Sequence, residues 1–266
     1  MHSPIITLLT DFGITDAFVG IMKGVILGIN PEVHLVDLAH GIPPQQVVPA
    51  ALLLRSAVGF FPPGTIHVAV VDPGVGSERQ PLVIETERGI LVGPDNGVLW
   101  PAAVAMHGAV ARRVENLDLC RRPISQTFHG RDIFAPVAAH LSRGVDPDTV
   151  GPITSSVVEM SIPATHCVGS VIHGEIIYVD HFGNLVTNVA AEAVACFPAP
   201  EVSVSIGHKL VAGLATAYVA VPVGAPLALV GSWGVVEIAV RNGSAARMFA
   251  AGPGTPVTVV VERRDA

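Results

Sequence analysis

Hydrophobic residues in the first half of the chain form short apolar runs separated by segments with helical spacing. The runs Ile5–Leu9, Val33–Val36 and Thr65–Val71 predict strands, and the segments 16–29 and 46–58 predict helices. Such alternation is typical of an α/β domain with a mostly parallel sheet covered by helices. Ligands of these sheets bind beyond the carboxyl ends of the strands, so we expect functional residues in the loops that follow them.

The second half of the chain lacks a long helical period and follows a Ser-, Thr- and Pro-rich segment at 152–165. Short strands are predicted at Ser170–Val179, Val202–Ile206, Tyr218–Val221, Leu227–Val230, Val235–Val240 and Pro256–Val261. The pair Asn242-Gly243 predicts a hairpin-type turn. We therefore predict two domains, 1–165 and 166–266, of which the second is an antiparallel barrel or sandwich.

Composition narrows the possible functions. Hydrophobic residues make up 50% of the 266 residues and charged residues only 14%, so the chain can bury a large core. The formal net charge is -7 and no run of Lys or Arg occurs, which argues against a nucleic-acid partner, because phosphates require clustered basic side chains. The same negative field tolerates a cationic substrate.

Cysteines and apolar segments bear on the location of the protein. The three cysteines lie far apart, so they predict neither a disulfide framework nor a zinc cluster and fit a reducing, cytoplasmic location. The segment 210–231 carries no charge, but Pro222 and Pro226 interrupt it, so we expect short strands and no membrane association. No set of histidines has the spacing of metal ligands, and no metal site is expected.

Candidate catalytic groups of the first domain lie at predicted strand and helix ends. Asp11 follows the first strand, where its carboxylate can bind both hydroxyls of a ribose; a helix cap is the alternative. Asp72 and Arg79 flank the glycines after the third strand, either as reactive groups or as a loop ion pair. His129 precedes a helix that includes Ala135–Leu141, and the helix dipole there favours a neutral imidazole that can accept a proton from a water or orient it; a helix-capping or core histidine is the alternative.

The second domain contributes the loop Asp180-His181-Phe182-Gly183-Asn184 after a long predicted strand. Phe182 offers a stacking face and Asn184 offers a donor and an acceptor, which are the groups that an adenine needs. Asp180 can hold an ammonium group. The alternative is an ordinary turn with Phe182 in the core.

Five sequence blocks together resemble the S-adenosylmethionine hydroxide adenosyltransferase family, relatives of the fluorinase and the chlorinase. The blocks are Thr10-Asp11-Phe12-Gly13, Val71-Asp72-Pro73-Gly74-Val75-Gly76, Gly93-Pro94-Asp95-Asn96-Gly97, Phe128-His129-Gly130-Arg131-Asp132 and Asp180-His181-Phe182-Gly183-Asn184. The resemblance covers residues 5–260 and implies an N-terminal Rossmann-like domain and a C-terminal antiparallel β-barrel. It also implies a homotrimer whose active sites lie between one subunit's N-terminal domain and a neighbour's C-terminal domain.

The resemblance further implies roles for individual residues. Asp72, Arg79 and His129 match the set with which the hydrolases of the family place a water. The implied substrate-binding residues are Asp11 for the ribose, Asp180 for the methionine ammonium, Phe182 and Asn184 for the adenine, and Ser232 and Trp233 for the methionine carboxylate, and Phe128 is a further one. Gln45 stands near the position where the halogenases carry an aromatic residue, and this departure changes the wall beside the ribose.

The implied reaction is hydrolysis of S-adenosyl-L-methionine to adenosine and L-methionine by attack of water at the ribose 5′ carbon. The sulfonium departs as a neutral thioether, so a dry pocket and an oriented nucleophile suffice, and no cofactor is expected. Three alternatives are open. A halogenase on the same scaffold should lack the Asp–Arg–His set, a binding module for adenosine or S-adenosylmethionine has no use for it, and a nucleotide-dependent oxidoreductase is disfavoured by an incomplete glycine motif.

Overall fold

The computed structural model of the protein describes residues 3–261. The chain forms two compact units that divide between Ser161 and Ile162. The predicted domains, 1–165 and 166–266, meet four residues later and include residues 1–2 and 262–266, which lie outside the described residues. Within residues 3–261, no helix is both long and apolar enough to cross a lipid bilayer.

The first unit is built around a six-stranded sheet. Its strands are β1 (Ile5–Thr10), β2 (His34–Ala39), β3 (Thr65–Val70), β4 (Pro81–Glu85), β5 (Gly89–Pro94) and β6 (Val110–Arg113). Their spatial order is β2-β1-β3-β5-β4-β6. Strands β2, β1, β3 and β5 pair in parallel, whereas β4 is antiparallel to both of its neighbours. The mostly parallel sheet predicted from the sequence is therefore confirmed.

Helices cover both faces of this sheet. They are α1 (Phe18–Ile29), α2 (Val47–Val58), α3 (Trp100–Met106) and α4 (Ala135–Ser142). Successive residues of β3 point to opposite faces, so Val68 packs in the cluster formed with α1 and α4, and Ala69 in the cluster formed with α2 and α3. The central strands β1 and β3 are thus buried on both faces, which explains why most of their residues are apolar, whereas the edge strands β2 and β6 carry charged residues.

Up to residue 261, the second unit contains nine strands and two short α-helices. They are β7 (His166–Val168), β8 (Val171–Val179), β9 (Leu185–Ala190), α5 (Ala191–Val194), β10 (Val202–Ile206), β11 (Lys209–Ala212), β12 (Leu214–Ala215), β13 (Pro226–Val230), β14 (Val235–Val240), α6 (Ala245–Phe249) and β15 (Pro256–Val261). The order β11-β10-β15-β8-β9-β14-β13-β12, with β7 beside β8, nearly closes into a barrel. The pairs are antiparallel as predicted, except that β12 is parallel to β13.

Two local predictions for the second unit are wrong. Tyr218–Ala220 forms a 3₁₀ turn, whereas the apolar pattern predicted a strand at 218–221. Asn242-Gly243 does not join a hairpin, because it connects β14 to helix α6, with Asn242 at a φ of 55°. Strand β9 was not predicted.

Candidate active site

Two candidate carboxylates leave the sheet of the first unit at the same edge. Thr10 and Val70 pair at the carboxyl ends of β1 and β3. Asp11 and Asp72 follow them within two residues, and both line an open cleft of about 390 Å³. The position matches the rule that ligands of parallel sheets bind beyond the carboxyl ends of the strands.

Arg79 joins Asp72 to His129. Its Nε donates to Oδ1 of Asp72 at 2.9 Å, and its Nη2 donates to Oδ2 of Asp72 and to Nδ1 of His129, the latter at 2.6 Å. The side chains of Arg79 and Asp72 are only 9% and 5% exposed. Asp72 and His129 line the cleft, while Arg79 contacts both from behind it. The loop ion pair between Asp72 and Arg79, one of the two alternatives from the sequence, is therefore present. His129 accepts a hydrogen bond from the arginine of this pair.

A tight turn shapes the chain between Asp72 and Arg79. Gly76 has a φ of +78°, and a Cβ atom built there would lie 2.4 Å from the carbonyl oxygen of Gln126. The turn therefore packs directly on the backbone that leads to His129. Only glycine fits a left-handed position with so close a neighbour.

His129 precedes a turn of π-helix, Gly130–Phe134, which continues into α4. Its side chain caps no backbone group of that helix, so the capping alternative is wrong. Burial lowers the pKa of His129 below its ordinary 6.5, and the positive charge of Arg79 lowers this pKa further, while Asp72 and Asp132 oppose the shift. The site thus favours a neutral imidazole.

Asp11 makes a loop contact and caps no helix. Its Oδ2 accepts a hydrogen bond from the backbone N–H of Gln45 at 2.7 Å. Helix α1 begins at Phe18 after Ala17 and has no side-chain cap, so the helix-cap alternative is wrong. Gln45 itself has a φ of 67° and lines the same cleft. The other carboxylate oxygen of Asp11 accepts no hydrogen bond from residues 3–261 and can bind a ligand hydroxyl.

Phe128 belongs to an aromatic wall of this cleft. Its ring centre lies 6.0 Å from that of Phe12 and 5.3 Å from that of Phe18, and both contacts are edge-to-face. All three rings line the cleft. They provide an apolar surface beside the charged groups of the cleft.

The candidate residues of the second unit line another cavity, of about 750 Å³. Its lining includes Asp180, Phe182, Asn184, Ser232 and Trp233. Phe182 is 73% exposed, so its assignment to the core is wrong and its ring is free to stack on a ligand. Every candidate residue of this unit therefore lies at one cavity.

Hydrogen bonds fix the shape of the 180–184 loop. Oδ1 of Asp180 accepts from the backbone N–H groups of Phe182 at 2.9 Å and Asn184 at 2.8 Å, and Oδ2 accepts from Nδ2 of Asn184 at 2.9 Å. Gly183, at a φ of +83°, packs on Ser244, whose Oγ would lie 2.1 Å from an added Cβ. The loop is thus a rigid platform for the ring of Phe182.

Two further side chains at this cavity, Glu237 and Tyr218, are not among the residues predicted from the sequence. Glu237 on β14 accepts a hydrogen bond from the hydroxyl of Tyr218 at 2.7 Å, and both residues line the cavity. Trp233 stacks on Tyr178 with ring centres 5.1 Å apart. The sequence could have indicated Glu237 as a functional residue, because it is the single carboxylate in the otherwise apolar strand Val235–Val240.

Neither unit concentrates metal-binding side chains. Among residues 3–261, no group of three or more His, Cys, Asp and Glu side chains is arranged so that it could hold a metal ion. The carboxylates of the two cavities instead pair with Arg, Tyr, Asn and backbone groups.

Comparison with known proteins gives the family. The profile of the SAM hydroxide adenosyltransferase N-terminal domain matches residues 6–151, and that of the C-terminal domain matches residues 174–258. The chain belongs to the SAM hydroxide adenosyltransferase family. Within this family it is similar to proteins named as hydrolases and, more distantly, to fluorinases.

The similarity extends over the whole chain. A Salinispora tropica protein named (R)-S-adenosyl-L-methionine hydrolase is 37% identical over 260 residues, which cover 97% of this chain and 98% of that protein. A Thermus thermophilus protein of the same name is 37% identical, with 95% and 98% covered. An Actinoplanes fluorinase is 29% identical, with 70% and 72% covered. The crystal structure of an uncharacterized conserved protein from Thermotoga maritima superposes with a TM-score of 0.91 at 36% identity, covering 96% of this chain and 99% of that one.

Proposed function

We propose that this protein hydrolyses S-adenosyl-L-methionine to adenosine and L-methionine. The observation that carries the proposal is the convergence of Asp72 and His129 on one cleft, with Arg79 bonded to both. The relatives that are 36–37% identical over nearly the full chain are named for the (R) epimer, and we propose that this protein acts on that epimer.

Asp72 is the proposed proton acceptor. A water oxygen attacks the 5′ carbon of the ribose as the bond from that carbon to sulfur breaks, and sulfur leaves with the electron pair as the thioether of methionine. The proton that the water loses passes to a carboxylate oxygen of Asp72, which lines the cleft. The sulfonium needs no acid, so the protein has only to orient the water and keep other water away.

His129 is the proposed donor that orients the water. A guanidinium has only donors, so Nδ1 of His129 must accept from Arg79, and the proton of the neutral ring lies on Nε2. The imidazole therefore offers an N–H group to a lone pair of the water. Arg79 acts as a positioning residue, because it fixes the tautomer of His129 and the orientation of Asp72.

The remaining candidate residues bind the parts of the substrate that do not react. In this proposal Asp11 accepts hydrogen bonds from the ribose hydroxyls, and Phe128 lines the site beside it. Phe182 stacks on the adenine and Asn184 contacts its edge, while Ser232 and Trp233 lie at the methionine carboxylate. Asp180 binds the methionine ammonium in this proposal, so the proposed substrate contacts are divided between the two cavities.

Assembly, location and metal independence are further parts of the proposal. We propose a homotrimer, since the substrate-binding groups are divided between two compact units and the family resemblance places them on neighbouring subunits. A cytoplasmic location fits the three unpaired cysteines. Activity without a metal or cofactor fits the lack of any suitable ligand cluster within residues 3–261.

Halogenation is the competing reaction on this scaffold. A halide ion in the cleft would lie near the carboxylate of Asp72, and two like charges about 4 Å apart cost roughly 4 kcal/mol at an effective dielectric constant near 20. Arg79 offsets part of this cost, but its charge is already shared with Asp72. Water has no such penalty.

Isotope labelling tests the proposed reaction. The purified protein is incubated with each sulfur epimer of S-adenosylmethionine in H₂¹⁸O and excess chloride, and the products are identified by mass. We expect ¹⁸O in the 5′ hydroxyl of adenosine, unlabelled methionine, and faster turnover of the (R) epimer. Methylthioadenosine or 5′-chloro-5′-deoxyadenosine as the main product would contradict the proposal.

A further inference from the structure

The turn at residues 93–97 is one of the five blocks that resemble the family, and the proposed reaction gives it no role. It begins at the carboxyl end of β5 and leads towards α3. In the sheet, β5 is parallel to β3 on one side and antiparallel to β4 on the other. The loop that carries Asp72 and Arg79 joins β3 to β4. The turn therefore lies between the two ends of that loop.

Two neighbouring residues of the turn bond to both ends of the loop. Nδ2 of Asn96 donates to the carbonyl oxygen of Val71 at 2.8 Å. The backbone N–H of Asp95 donates to the carbonyl oxygen of Gln80, also at 2.8 Å. Val71 comes directly before the loop 72–79, and Gln80 comes directly after it. One turn thus holds the start and the end of the loop.

The bond from Asn96 bears on the orientation of Asp72. Val71 is fully buried, so its carbonyl oxygen cannot bond to water and needs a donor from the protein. A peptide group is planar, so a donor that fixes the carbonyl of Val71 also fixes the N–H of Asp72 in the same plane. The side chain of Asp72 therefore starts from a fixed backbone before its carboxylate reaches Arg79.

The side chain of Asn96 is itself held in one orientation. Its Oδ1 accepts from the backbone N–H of Val98 at 3.1 Å, while its Nδ2 donates to Val71. A side chain in this position must carry both an acceptor and a donor, as an amide does. Asp95 is held as well, because its Oδ1 accepts from the backbone N–H of Val158 at 2.8 Å. The turn is thus a fixed base for the loop.

We propose that Asn96 is a positioning residue for the reaction, because its bond to the carbonyl of Val71 holds Asp72 where the carboxylate accepts the proton of the attacking water. This inference rests on the proposed function, in which Asp72 is the proton acceptor. Asn96 lies outside the residues that line the cleft, so it acts through Asp72 and does not contact the substrate. Loss of its donor should therefore lower kcat and spare the binding of adenosine.

A substitution of equal shape isolates the donor. Asn96→Asp keeps the acceptor but loses the donor, because an ionised carboxylate only accepts hydrogen bonds. The matched control is Asn116→Asp. Nδ2 of Asn116 donates to the carbonyl oxygen of Thr149 at 3.0 Å, its Oδ1 accepts from the backbone N–H of Asp118 at 3.1 Å, and it too lies outside the cleft lining. Both variants thus lose the same kind of donor and gain the same charge.

Steady-state kinetics with S-adenosylmethionine, thermal unfolding and adenosine calorimetry are measured on the full chain of wild type and of both variants. We expect Asn96→Asp to lower kcat by about 10- to 100-fold, since a misplacement of about 1 Å can cost a hundredfold in rate. The Kd of adenosine should change by less than about threefold, because an interaction used only in the transition state does not contribute to binding. Asn116→Asp should lower Tm to a similar extent and leave kcat unchanged.

A double-variant cycle tests whether Asn96 acts through Asp72. In Asp72→Asn the carboxylate is already absent, so adding Asn96→Asp should lower the remaining kcat by less than about twofold. A further loss as large as the one in wild type would show that Asn96 acts on another part of the protein, and it would overturn the proposal.

A second variant removes the donor without adding a charge. The side chain in Asn96→Ser ends one bond earlier, and its hydroxyl can still accept from the N–H of Val98. We expect kcat to fall in this variant as well, and it decides the matter if Asn96→Asp does not fold. An unchanged kcat in Asn96→Ser, or an equal loss of kcat in Asn116→Asp, would contradict the proposal.

Wild-type turnover separates this inference from the proposed function. Absence of turnover of S-adenosylmethionine by wild type would defeat the proposed function and this inference with it. Turnover by wild type together with full kcat in the Asn96 variants would defeat this inference alone.

Discussion

Nη2 of Arg79 donates to Nδ1 of His129 across 2.6 Å, and this contact determines which nitrogen of the imidazole meets a ligand. Because Arg79 cannot accept a hydrogen bond, the imidazole faces the cleft with Nε2–H. In the proposed mechanism the histidine holds a water in place, and the carboxylate of Asp72 accepts the proton that this water loses. Both residues are therefore proposed to act on one water.

Substitution of either group that contacts the water should cut turnover and spare binding. We expect His129→Ala and Asp72→Asn each to lower kcat by about a hundredfold or more, as is typical for a positioned acid–base group. The double variant should lose little more than the worse single variant, because both groups hold one water. Steady-state kinetics and adenosine calorimetry check this, and fully multiplicative losses would show that the two residues act independently.

The pH dependence follows from the lowered pKa of His129. Protonation of Nδ1 would break the bond from Arg79, so activity should fall as the pH drops through this pKa, which lies below 6.5. We expect the acid limb of the kcat/KM profile below pH 6.5. In an NMR titration, Arg79→Met should raise the pKa of His129, because a repelling cation is lost, while the exposed Arg55→Met should leave it unchanged. An unshifted pKa in Arg79→Met would contradict the contact.

The ribose role of Asp11 can be tested without turnover. Its free carboxylate oxygen can form charge-assisted hydrogen bonds with ribose hydroxyls, and such bonds are about twice as strong as neutral ones. We therefore expect Asp11→Ala to weaken adenosine binding more than Asn184→Ala does. Calorimetry with adenosine and with adenine distinguishes contacts to the ribose from contacts to the base, because only adenosine contains the ribose. Asp11→Ala should affect only adenosine, and an unchanged adenosine Kd would exclude the ribose role.

Replacement of Gly76, which lies in the turn between Asp72 and Arg79, should destabilise the folded protein. A side chain at its φ of +78° is strained, and its Cβ would lie 2.4 Å from the carbonyl oxygen of Gln126. We expect Gly76→Ala to lower the free energy of unfolding by about 1–3 kcal/mol and to reduce kcat. The control is Gly59→Ala, at a φ of -65° with open space around it, which should leave stability unchanged or raise it by up to about 1 kcal/mol.

A buried histidine in the sheet should make stability depend on pH. Burial lowers the pKa of His67 from 6.5 to about 4, and its Nδ1 lies 2.8 Å from Oγ1 of Thr7. The unfolded chain therefore binds a proton that the folded chain does not, and stability falls as the pH drops from 6.5 towards 4. Between pH 7 and pH 5 this histidine should cost about 2 kcal/mol. Urea unfolding should show a smaller drop for His67→Gln than for wild type.

Strands were predicted correctly where the local pattern of apolar residues in the sequence matches the burial of those residues in the structure. The bounds of β10, β14 and β15 match the prediction because each is an apolar strand bounded by turn residues. The segment at Tyr218 was mispredicted because its conformation depends on a bond to Glu237, 19 residues away, which no local pattern shows. Strand β9 was missed because it directly follows the 180–184 loop, and the loop residues obscured its start.

All the predicted site residues except Arg79 line one of the two cavities, yet the sequence could not predict how they are bonded. Asp72, Arg79 and His129 come together because the loop after β3 folds back on the segment before α4. The tautomer of His129 follows from a 2.6 Å contact, and the hydrogen bonds that occupy Asp180 follow from the geometry of its loop. Such hydrogen bonds depend on the positions of atoms in the folded protein, so the spacing of residues along the sequence could not predict them.

The division between Ser161 and Ile162 has a consequence for inheritance. All three groups proposed to activate the water are encoded before this point, and the groups proposed to grip the adenine and the amino acid are encoded after it. A recombination event there would exchange one set and leave the other intact. Exchange of the first gene segment can therefore change which nucleophile attacks the substrate. The second segment continues to encode the residues that select the same sulfonium substrate.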